Sequence, residues 1–421
     1  MRERLDPQDA LRPRAERTSD ALHERVRSFA ERWEKPALYA KSDDDTFEGL
    51  ALDIARFQLE QSPGFARLVA LSGSQLDTVE SIPAVPVDAF RLSRVAVHPA
   101  ELDAAVFRTS GTTAAESGSH ALRTLRTLHE LELILARRTL FSQISGRALV
   151  VALAPPPGHP PQSSLGFMMR GFMEHFDGRA LTRDPEGTTF EVDTAARWLV
   201  SSSGVDIDGL TRAAKLARAR SEPLVVLATS FALAGLLEEL DGESLPTPER
   251  TFVMVTGGFK GRVREVPAEE LLRATARALG TREDRILGEY GMTELSSQLY
   301  EAWPGPRPSQ RPNQQGQLGA TSTLDDGVRW NGRRGVYYPP PWLRVMAVGP
   351  NDYRPVPAGE VGLARFIDLA NVDSAVAIQT QDLVRIEGEG IELLGRAPRA
   401  PARGCSLPFE GLVSGAPRRS P

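Results

Sequence analysis

The stretch LVVLATSFALAGLLEEL, residues 224–240, decides the fold class of this chain. Residues 224–228 form a short, continuous apolar run, which is typical of a buried β-strand. The chain then passes through Thr229 and Ser230 into residues 231–240, whose apolar spacing predicts a helix. The stretch therefore predicts a strand, a short polar loop and a helix in direct succession.

Two further stretches repeat this order on either side. Residues 148–153 (ALVVAL) form an apolar run that prolines end, and residues 252–255 (FVMV) run into Thr256 and Gly257. Residues 268–279 then show helical spacing. Alternation of this kind favours an α/β fold with helices on the faces of a sheet. Ligands usually bind at the carboxyl ends of such strands.

The composition is that of an ordinary globular protein and disfavours several other classes. The 421 residues are 41% hydrophobic and 25% charged, as in an ordinary globular protein, and the net charge of −5 does not favour a nucleic-acid partner. The single cysteine, Cys405, excludes an internal disulfide. The chain has no run of transmembrane length and no signal-peptide pattern at its start, so we expect a cytoplasmic protein.

Changes in composition and in the pattern of apolar residues divide the sequence into four segments. We predict a helical or partly disordered extension over residues 1–37 and an α/β core over 38–338. Short strand-like runs with turns between them predict a β-rich subdomain over 339–396. Residues 397–421 form a short tail that carries Cys405.

The first block with chemical potential is FRTSGTT, residues 107–113. Hydroxyl side chains packed around a glycine suit a phosphate group, because the glycine lets backbone N–H groups approach it. The block lacks the lysine of a Walker A loop. An ordinary Ser/Thr turn explains it equally well, and we expect His120, which follows, to be a capping or surface residue. The candidate phosphate-binding residues are Thr109, Ser110, Gly111, Thr112 and Thr113.

The second block is GEYGMTE, residues 288–294. Tyr290, beside Gly291, can stack on a base, while Thr293 and Glu294 can serve a phosphate and Mg²⁺. The alternative is a buried tyrosine near a helix whose first turn Thr293 caps.

The third block is QTQD, residues 379–382, followed by Arg396. We expect Asp382 at the end of a strand, where a carboxylate can accept hydrogen bonds from both ribose hydroxyls, and Arg396 can bridge ribose or phosphate. An aspartate in a β-turn is the alternative.

Together the blocks resemble the adenylate-forming superfamily, in which a Ser/Thr/Gly-rich loop, a Tyr-Gly-x-Thr-Glu block and a later aspartate occur in this order. The closer resemblance is to the acyl-protein synthetases of the LuxE type, and a more distant one is to the phenylacetate–CoA ligases. It extends over residues 82–407. The stretches that carry it are FRTSGTT (107–113) with His120 downstream, SSLGFMM (163–169), TSFAL (229–233), TGGFKGR (256–262), GEYGMTELSSQLY (288–300), PPPWLRV (339–345), IDLANVDSAVAIQTQDL (367–383), LLGR (393–396) and RGCSL (403–407).

The resemblance implies a role for each matching residue. ATP would lie with its phosphates in the loop of residues 109–113 and its adenine along Gly257 and Gly258, stacked on Tyr290. Thr293 and Glu294 would hold phosphate and Mg²⁺, and Asp382 and Arg396 would hold the ribose. Lys260 and Arg262 would help to neutralise charge, and the alternative is that both are solvated loop residues. Cys405 would accept the acyl group, and the alternative is a small buried residue.

The resemblance also implies a function. We expect ATP-dependent activation of a carboxylic acid, with a fatty acid as the favoured class, followed by transfer to a thiol of the enzyme or of an acyl-reductase partner. Two alternatives remain: a ligase that hands the acyl group to CoA or a small acceptor, and an inactive scaffold subunit of a reductase complex.

Two further expectations concern the lysine-bearing domain and the acyl pocket. No mobile lysine-bearing domain is expected after residue 396, because too few residues follow it. Five apolar side chains are expected to line an acyl pocket or, equally, to belong to the hydrophobic core: Phe167, Met168, Met169, Phe172 and Phe231.

Overall fold

A computed structural model of the chain describes residues 13–35, 45–109, 118–158, 161–177, 197–202, 204–257, 267–304 and 332–397. The helices of this part are α1 (Arg14–Glu34), α2 (Phe47–Gln61), α3 (Pro63–Ser72), α4 (Ala89–Leu92), α5 (Arg126–Arg138), α6 (Ser164–Phe172), α7 (Ile207–Ala219), α8 (Ser230–Leu240) and α9 (Ala268–Leu279). Its strands are β1 (Val85–Pro86), β2 (Ala105–Arg108), β3 (Ser119–Leu122), β4 (Leu149–Leu153), β5 (Val200–Ser201), β6 (Gly204–Val205), β7 (Leu224–Thr229), β8 (Thr251–Thr256), β9 (Ile286–Tyr290), β10 (Leu299–Tyr300), β11 (Val336–Tyr337), β12 (Leu343–Val348), β13 (Val361–Asp368), β14 (Ala377–Glu387) and β15 (Gly390–Arg396).

A five-stranded sheet in the order β10-β9-β8-β7-β4 forms the centre of the α/β part. Strands β4, β7, β8 and β9 are parallel, and β10 is antiparallel to β9. Every residue of β4 and β7 is buried. Such continuous apolar strands are typical of a parallel sheet that is covered on both faces.

The two faces of this sheet belong to two different hydrophobic clusters. Along β7, Val225 and Leu227 join one cluster, while Leu224 and Val226 join the other, as the two-residue period of a strand requires. Helices α7, α8 and α9 cover the second cluster, and α1, α2, α5 and α6 contribute to the first. The α/β fold predicted from the alternating sequence pattern is therefore confirmed.

A six-stranded sheet packs beside this layer. Strands β11, β15, β14, β13 and β12 form an antiparallel series, and β1 pairs in parallel with β14. Since β1 and β11 come from residues before 339, the sheet draws strands from outside the segment that the sequence delimits. The division of the chain into four domains stays a prediction.

The N-terminal helix α1 packs into the main core. Its residues Val26, Ala30 and Trp33 are buried, and the Trp33 ring meets the Trp342 ring edge to face at 5.7 Å. Helix α1 thus contacts the residue that directly precedes β12 of the six-stranded sheet. None of the helices in the described ranges combines the length and the apolar character that a membrane span needs.

Candidate functional site

Polar residues collect where the parallel strands of the five-stranded sheet end. Thr229 ends β7 and Thr256 ends β8, and the register pairs Thr229 with Thr256 and Thr256 with Glu289. The hydroxyl of Thr229 caps α8 by accepting a hydrogen bond from Ala232 N at 3.1 Å. Hydroxyl and carboxyl groups therefore line this edge of the sheet, which is where ligands usually bind in α/β folds.

The turn after β8 has a backbone conformation that favours glycine. Gly257 has a φ of 73°, in the left-handed region, and nothing lies within 4 Å of the position that a Cβ would take there. Ser230 Oγ donates to the Gly257 carbonyl oxygen at 2.5 Å, which fixes this turn against the start of α8. The structure therefore places predicted residue Gly257 at the edge where Tyr290 also lies.

Tyr290, Asp382 and Arg396 form one cluster, joined by a hydrogen bond and an ion pair, although they come from two different sheets. The Tyr290 hydroxyl donates to Asp382 Oδ2 at 3.0 Å, and Arg396 Nε lies 3.2 Å from Asp382 Oδ1. Burial of the Tyr290 hydroxyl, with the neighbouring Asp382 charge, raises its pKa well above the usual range, so the hydroxyl remains a donor. The Tyr290 ring also stacks with Phe366 at 6.1 Å between centroids.

The expectation that Asp382 ends a strand is wrong. Asp382 lies in the middle of β14, where the pairing with β15 shifts register between Asp382 and Val384. A bulge of this kind re-aims side chains, and Asp382 pairs across the ladder with Arg396, the last residue of β15. The bulge therefore supplies the placement that the sequence analysis attributed to a strand end.

Thr293 and Glu294 lie in a turn after β9 and are both buried. His120 Nδ1 hydrogen-bonds with the Thr293 carbonyl oxygen and His120 Nε2 with Ser374 Oγ, each at 2.8 Å. Asn371 Nδ2 donates to the Glu294 carbonyl oxygen at 3.0 Å. The loop between β13 and β14 and the hairpin of β2 and β3 thus hold the backbone of this turn from two sides.

The expectation that His120 is a capping or surface residue is wrong. Its side chain is 1% exposed, and burial lowers its pKa to about 4. A neutral imidazole with both nitrogens hydrogen-bonded fits a positioning role at the backbone of Thr293.

Thr109 closes the base of the loop that the sequence assigns to phosphate. Its Oγ1 accepts from Gly118 N at 2.6 Å, and its N–H donates to the Gly118 carbonyl oxygen at 2.9 Å. The antiparallel pair β2 and β3 leads into and out of this loop. Eight other predicted site residues lie outside the described ranges: Ser110, Gly111, Thr112, Thr113, Gly258, Lys260, Arg262 and Cys405. The prediction that no lysine-bearing domain follows residue 396 also concerns residues outside these ranges.

Beside Tyr290, a cavity of about 30 Å³ lies between α5, α6 and the ends of β8 and β9. Its volume exceeds the roughly 10–15 Å³ that one water molecule needs. The lining residues are Leu128, Glu132, Ser164, Leu165, Met168, Thr256, Glu289, Gly291, Met292, Leu295, Ser297 and Gln298. Of the side chains expected to form an apolar acyl pocket, Met168 lines this cavity, while Met169 and Phe172 belong to the core.

Two buried carboxyl groups line this cavity. Glu132 is 2% exposed and Glu289 is 5% exposed. Glu132 Oε1 accepts from Gln298 Nε2 at 3.2 Å, and Glu289 Oε2 accepts from the Thr256 hydroxyl. Within the described ranges neither carboxyl forms an ion pair, and Glu132 Oε2 has no hydrogen-bond partner.

The electrostatics of the pair follow from this burial. Burial raises the pKa of Glu132 well above its ordinary value, and the neighbouring Glu289 raises it further. Burial likewise raises the pKa of Glu289 to about 7. Sequence analysis did not single out either residue, although one signal existed: Glu132 follows Leu128 by four positions, on the apolar stripe of α5.

The described residues contain no group of three or more histidine, cysteine, aspartate or glutamate side chains that could hold a metal ion by themselves. Mg²⁺ in nucleotide enzymes is usually bound by only one or two carboxylates together with substrate phosphates. The single carboxylate of Glu294, next to Thr293 and near Tyr290, fits that pattern.

Comparisons with known proteins agree with the fold. The chain matches no protein-family model and no curated protein. An open conformation of 2-hydroxyisobutyryl-CoA ligase, in complex with 2-HIB-AMP and CoA, is similar over 83% of this chain and 74% of the ligase chain, with 12% identity and a TM-score of 0.50. The postadenylation state of that ligase with 2-HIB-AMP covers 83% of this chain and 67% of the ligase, with 10% identity and a TM-score of 0.50.

ATP-bound MatB from Rhodopseudomonas palustris is also similar, with 16% identity and a TM-score of 0.42 over 71% of this chain, and the chain spans about half of MatB (49%). The fold assignment rests on the two ligase structures at 0.50. This chain has the mixed α/β fold of these adenylate-forming enzymes, as the sequence predicts.

Proposed function

We propose that this chain uses ATP and Mg²⁺ to convert a carboxylic acid to its acyl adenylate, and then passes the acyl group to a thiol. The observation that carries the proposal is the cluster of Tyr290, Asp382 and Arg396 beside the end of β9, in a fold shared with a ligase whose structures hold an adenylate. In a nucleoside-binding site, an aromatic ring can stack on the base, and a carboxylate held in place by a guanidinium can accept hydrogen bonds from the ribose hydroxyls.

The carboxylate of Asp382 is suited to the ribose. A carboxylate offers about four acceptor sites on its two oxygens. Tyr290 and Arg396 each engage one oxygen, so the orientation is fixed while lone pairs remain for two ribose hydroxyls. The ring of Tyr290, held by this hydrogen bond and by Phe366, offers a face to the adenine.

Glu294 and Thr293 are suited to the phosphate end. Bound Mg²⁺ would neutralise phosphate charge and stabilise the departing pyrophosphate. Glu294 would hold the ion, and the Thr293 hydroxyl would donate to phosphate. His120 and Asn371 fix the backbone of both residues, which keeps them in position during the reaction.

The proposed step is an in-line displacement. A carboxylate oxygen of the acid forms a bond to the α-phosphorus of ATP, and the bond from that phosphorus to the bridging oxygen breaks as pyrophosphate leaves. The acid approaches from the side of Gly291, where the cavity opens beside Tyr290.

The acceptor in this proposal is a thiol, either Cys405 or one on an acyl-accepting reductase partner. The thiolate attacks the acyl carbon and displaces AMP. CoA or a small molecule is the alternative acceptor, and acyl transfer by the Cys405→Ala variant separates the two. A fatty acid stays the sequence-based prediction for the substrate.

The test is pyrophosphate release with ATP, Mg²⁺ and hydroxylamine across a panel of aliphatic, aromatic and amino acids. We expect acid-dependent release with formation of the hydroxamate. Glu294→Ala should lower the rate by roughly 10²–10³-fold, as loss of one transition-state stabiliser does. The matched control is Glu283→Ala, at the exposed turn before β9 and at the opposite edge of the sheet, which should keep the wild-type rate.

A folded protein that does not bind ATP would contradict the proposal outright. ATP binding without pyrophosphate release for any acid would instead support the scaffold alternative.

A further inference from the structure

The cavity beside Gly291 lies where the reacting acid must lie. It is lined by Gly291 and Met292, directly after Tyr290, and by Thr256 at the end of β8. If the nucleotide occupies Tyr290 and Asp382, the acid must reach the α-phosphorus from this neighbouring space. The side chains that line the cavity therefore select the acid.

The cavity is small and carries acid groups that the described residues leave without a counter-charge. About 30 Å³ is room for one small polar group. Glu132 Oε2 is buried in it without a partner among the described residues. A Cβ at Gly291 would lie 2.7 Å from Glu289 Oε1, so the glycine leaves the space that this carboxyl oxygen approaches.

Other buried carboxyl groups of the chain are treated differently. Asp177 pairs with Arg197, and Glu301 pairs with Arg334. Among the described residues Asp368 has no cation, but both of its carboxyl oxygens accept hydrogen bonds, from Ser296 N, Ser297 Oγ and Ala370 N. Glu132 and Glu289 each accept one side-chain hydrogen bond, and Glu132 Oε2 accepts none. Since this fold satisfies buried acids more fully elsewhere, the open oxygen of Glu132 and the lack of a counter-charge point to a group that arrives with a ligand.

The required group is a compact cation with several donors. An ammonium has three N–H donors and no acceptor, which matches two carboxyl groups that face one cavity. The side chains of Leu128, Leu165 and Met168 form apolar walls, which strengthen the attraction. An alkyl chain in the same space would leave both carboxyls desolvated and without a counter-charge.

We propose that the acid activated by this chain is a small amino-bearing carboxylic acid, whose ammonium group is held by Glu132 and Glu289. The proposal rests on the proposed adenylation, and it replaces the expected fatty acid with a short amino acid. Entry of the ammonium is balanced by release of the proton that a carboxyl group of the pair holds in the free protein.

The experiment compares matched pairs of acids that differ only in the amino group: glycine with acetate, alanine with propionate, and 4-aminobutyrate with butyrate, with octanoate and glycolate as further probes. Pyrophosphate release gives kcat/KM for each. We expect the best amino acid to exceed its amino-free partner by roughly 10⁴-fold, as in sites built around a substrate hydrogen-bonding group.

Variants assign this preference to the cavity. Glu132→Gln and Glu289→Gln keep shape and remove charge, and each should reduce the amino preference by roughly 10²-fold while leaving ATP affinity unchanged. The control is Glu130→Gln on the same helix, where the side chain is 30% exposed and pairs with Arg126 outside the cavity, and it should keep the preference. A melting curve for each variant checks that it folds.

Failure of this inference is distinct from failure of the adenylation. Efficient activation of octanoate, propionate or glycolate over the amino acids, unaffected by Glu132→Gln, would overturn the amino-acid inference and leave adenylation standing. No release with any acid would overturn both.

Discussion

Two regions of this molecule bury carboxyl groups in opposite ways. The loop and strands around β14 hold Asp373 and Asp382, and each meets a cationic side chain from elsewhere in the chain. Asp373 Oδ2 lies 2.8 Å from His23 Nε2 and 3.3 Å from Arg123 Nε, and Asp382 meets Arg396. The cavity between α5 and β9 holds Glu132 and Glu289, which meet no cation within the described residues.

The difference separates carboxyl groups that hold the fold together from those available to a ligand. Burial alone would raise the pKa of Asp373, but the hydrogen bond and charge of His23, with Ser19 and Arg123, lower it to about 2. Burial raises the pKa of Glu289 to about 7, since only a hydroxyl offsets it. The carboxyl group of Asp373 is therefore charged and has cationic partners, whereas the pKa values of Glu132 and Glu289 are raised because no cation lies beside them among the described residues.

The largest effect should come from removing a charge in the region around β14. Asp373→Asn leaves the His23 and Arg123 side chains facing a neutral amide, so it should lower the free energy of unfolding by about 3 kcal/mol at pH 7. Urea denaturation of the full chain measures this. Because Asp373 ties α1 to the loop before β14, helix α1 should also lose protection from hydrogen exchange.

Glu132→Gln is the matched control, since it makes the same chemical change in the other region. It should be neutral or stabilising, because the amide removes the cost of burying a carboxyl without a counter-charge. Equal destabilisation by both variants would break the distinction between the two regions.

A second effect should appear in nucleotide binding, at Asp382. Asp382→Ala removes the proposed acceptor of both ribose hydroxyls, so it should weaken ATP binding by about 2 kcal/mol, or roughly 30-fold in the dissociation constant. Isothermal calorimetry measures it. Tyr290→Phe keeps the ring and removes only the hydrogen bond to Asp382, and should cost about 0.5–1 kcal/mol. A larger loss for Tyr290→Phe than for Asp382→Ala would show that Asp382 serves Tyr290 and not the nucleotide.

The sequence predicted those parts of the fold that rest on local pattern. Continuous apolar runs around residues 149, 224 and 252 identify buried parallel strands, because each run carries its own signal. The assignment of Tyr290 and Asp382 to the same nucleotide came from the resemblance and not from their spacing in the sequence. The position of Asp382 within β14 was missed because a bulge has no strong local signature in QTQDL.

The acid pair could not be predicted, for a physical reason. Glu132 and Glu289 line one cavity only because the folded chain brings α5 and the end of β9 to the same place, and they lie far apart in the sequence. His120 was missed for the same reason, since Thr293 and Ser374 satisfy its two nitrogens only in the folded chain. Buried polar groups whose hydrogen-bond partners are distant in the sequence give little signal in the local sequence pattern.

The last effect concerns the pH dependence of stability and tests whether the Glu289 carboxyl in the cavity is protonated. In the folded chain the Glu289 carboxyl keeps its proton up to about pH 7, whereas in the unfolded chain it loses the proton near its ordinary pKa of about 4.3. Between these values the folded state binds more protons, so stability falls as pH rises. From pH 5.5 to 6.5 this amounts to about 1 kcal/mol.

Glu289→Gln should remove this fall, and urea denaturation at the two pH values measures the difference from wild type. Among the described residues, the groups that face Glu289 are the Thr256 hydroxyl, the Glu132 carboxyl and the phenols of Tyr300 and Tyr337. Burial raises the pKa of both phenols, so none of these groups supplies a positive charge over this range. Glu130→Gln, on the same helix but paired with Arg27 and Arg126 outside the cavity, should keep the wild-type slope. A wild-type slope in Glu289→Gln would mean that Glu289 is already ionised in the folded chain, and the contrast between the two regions would then lie in geometry and not in charge.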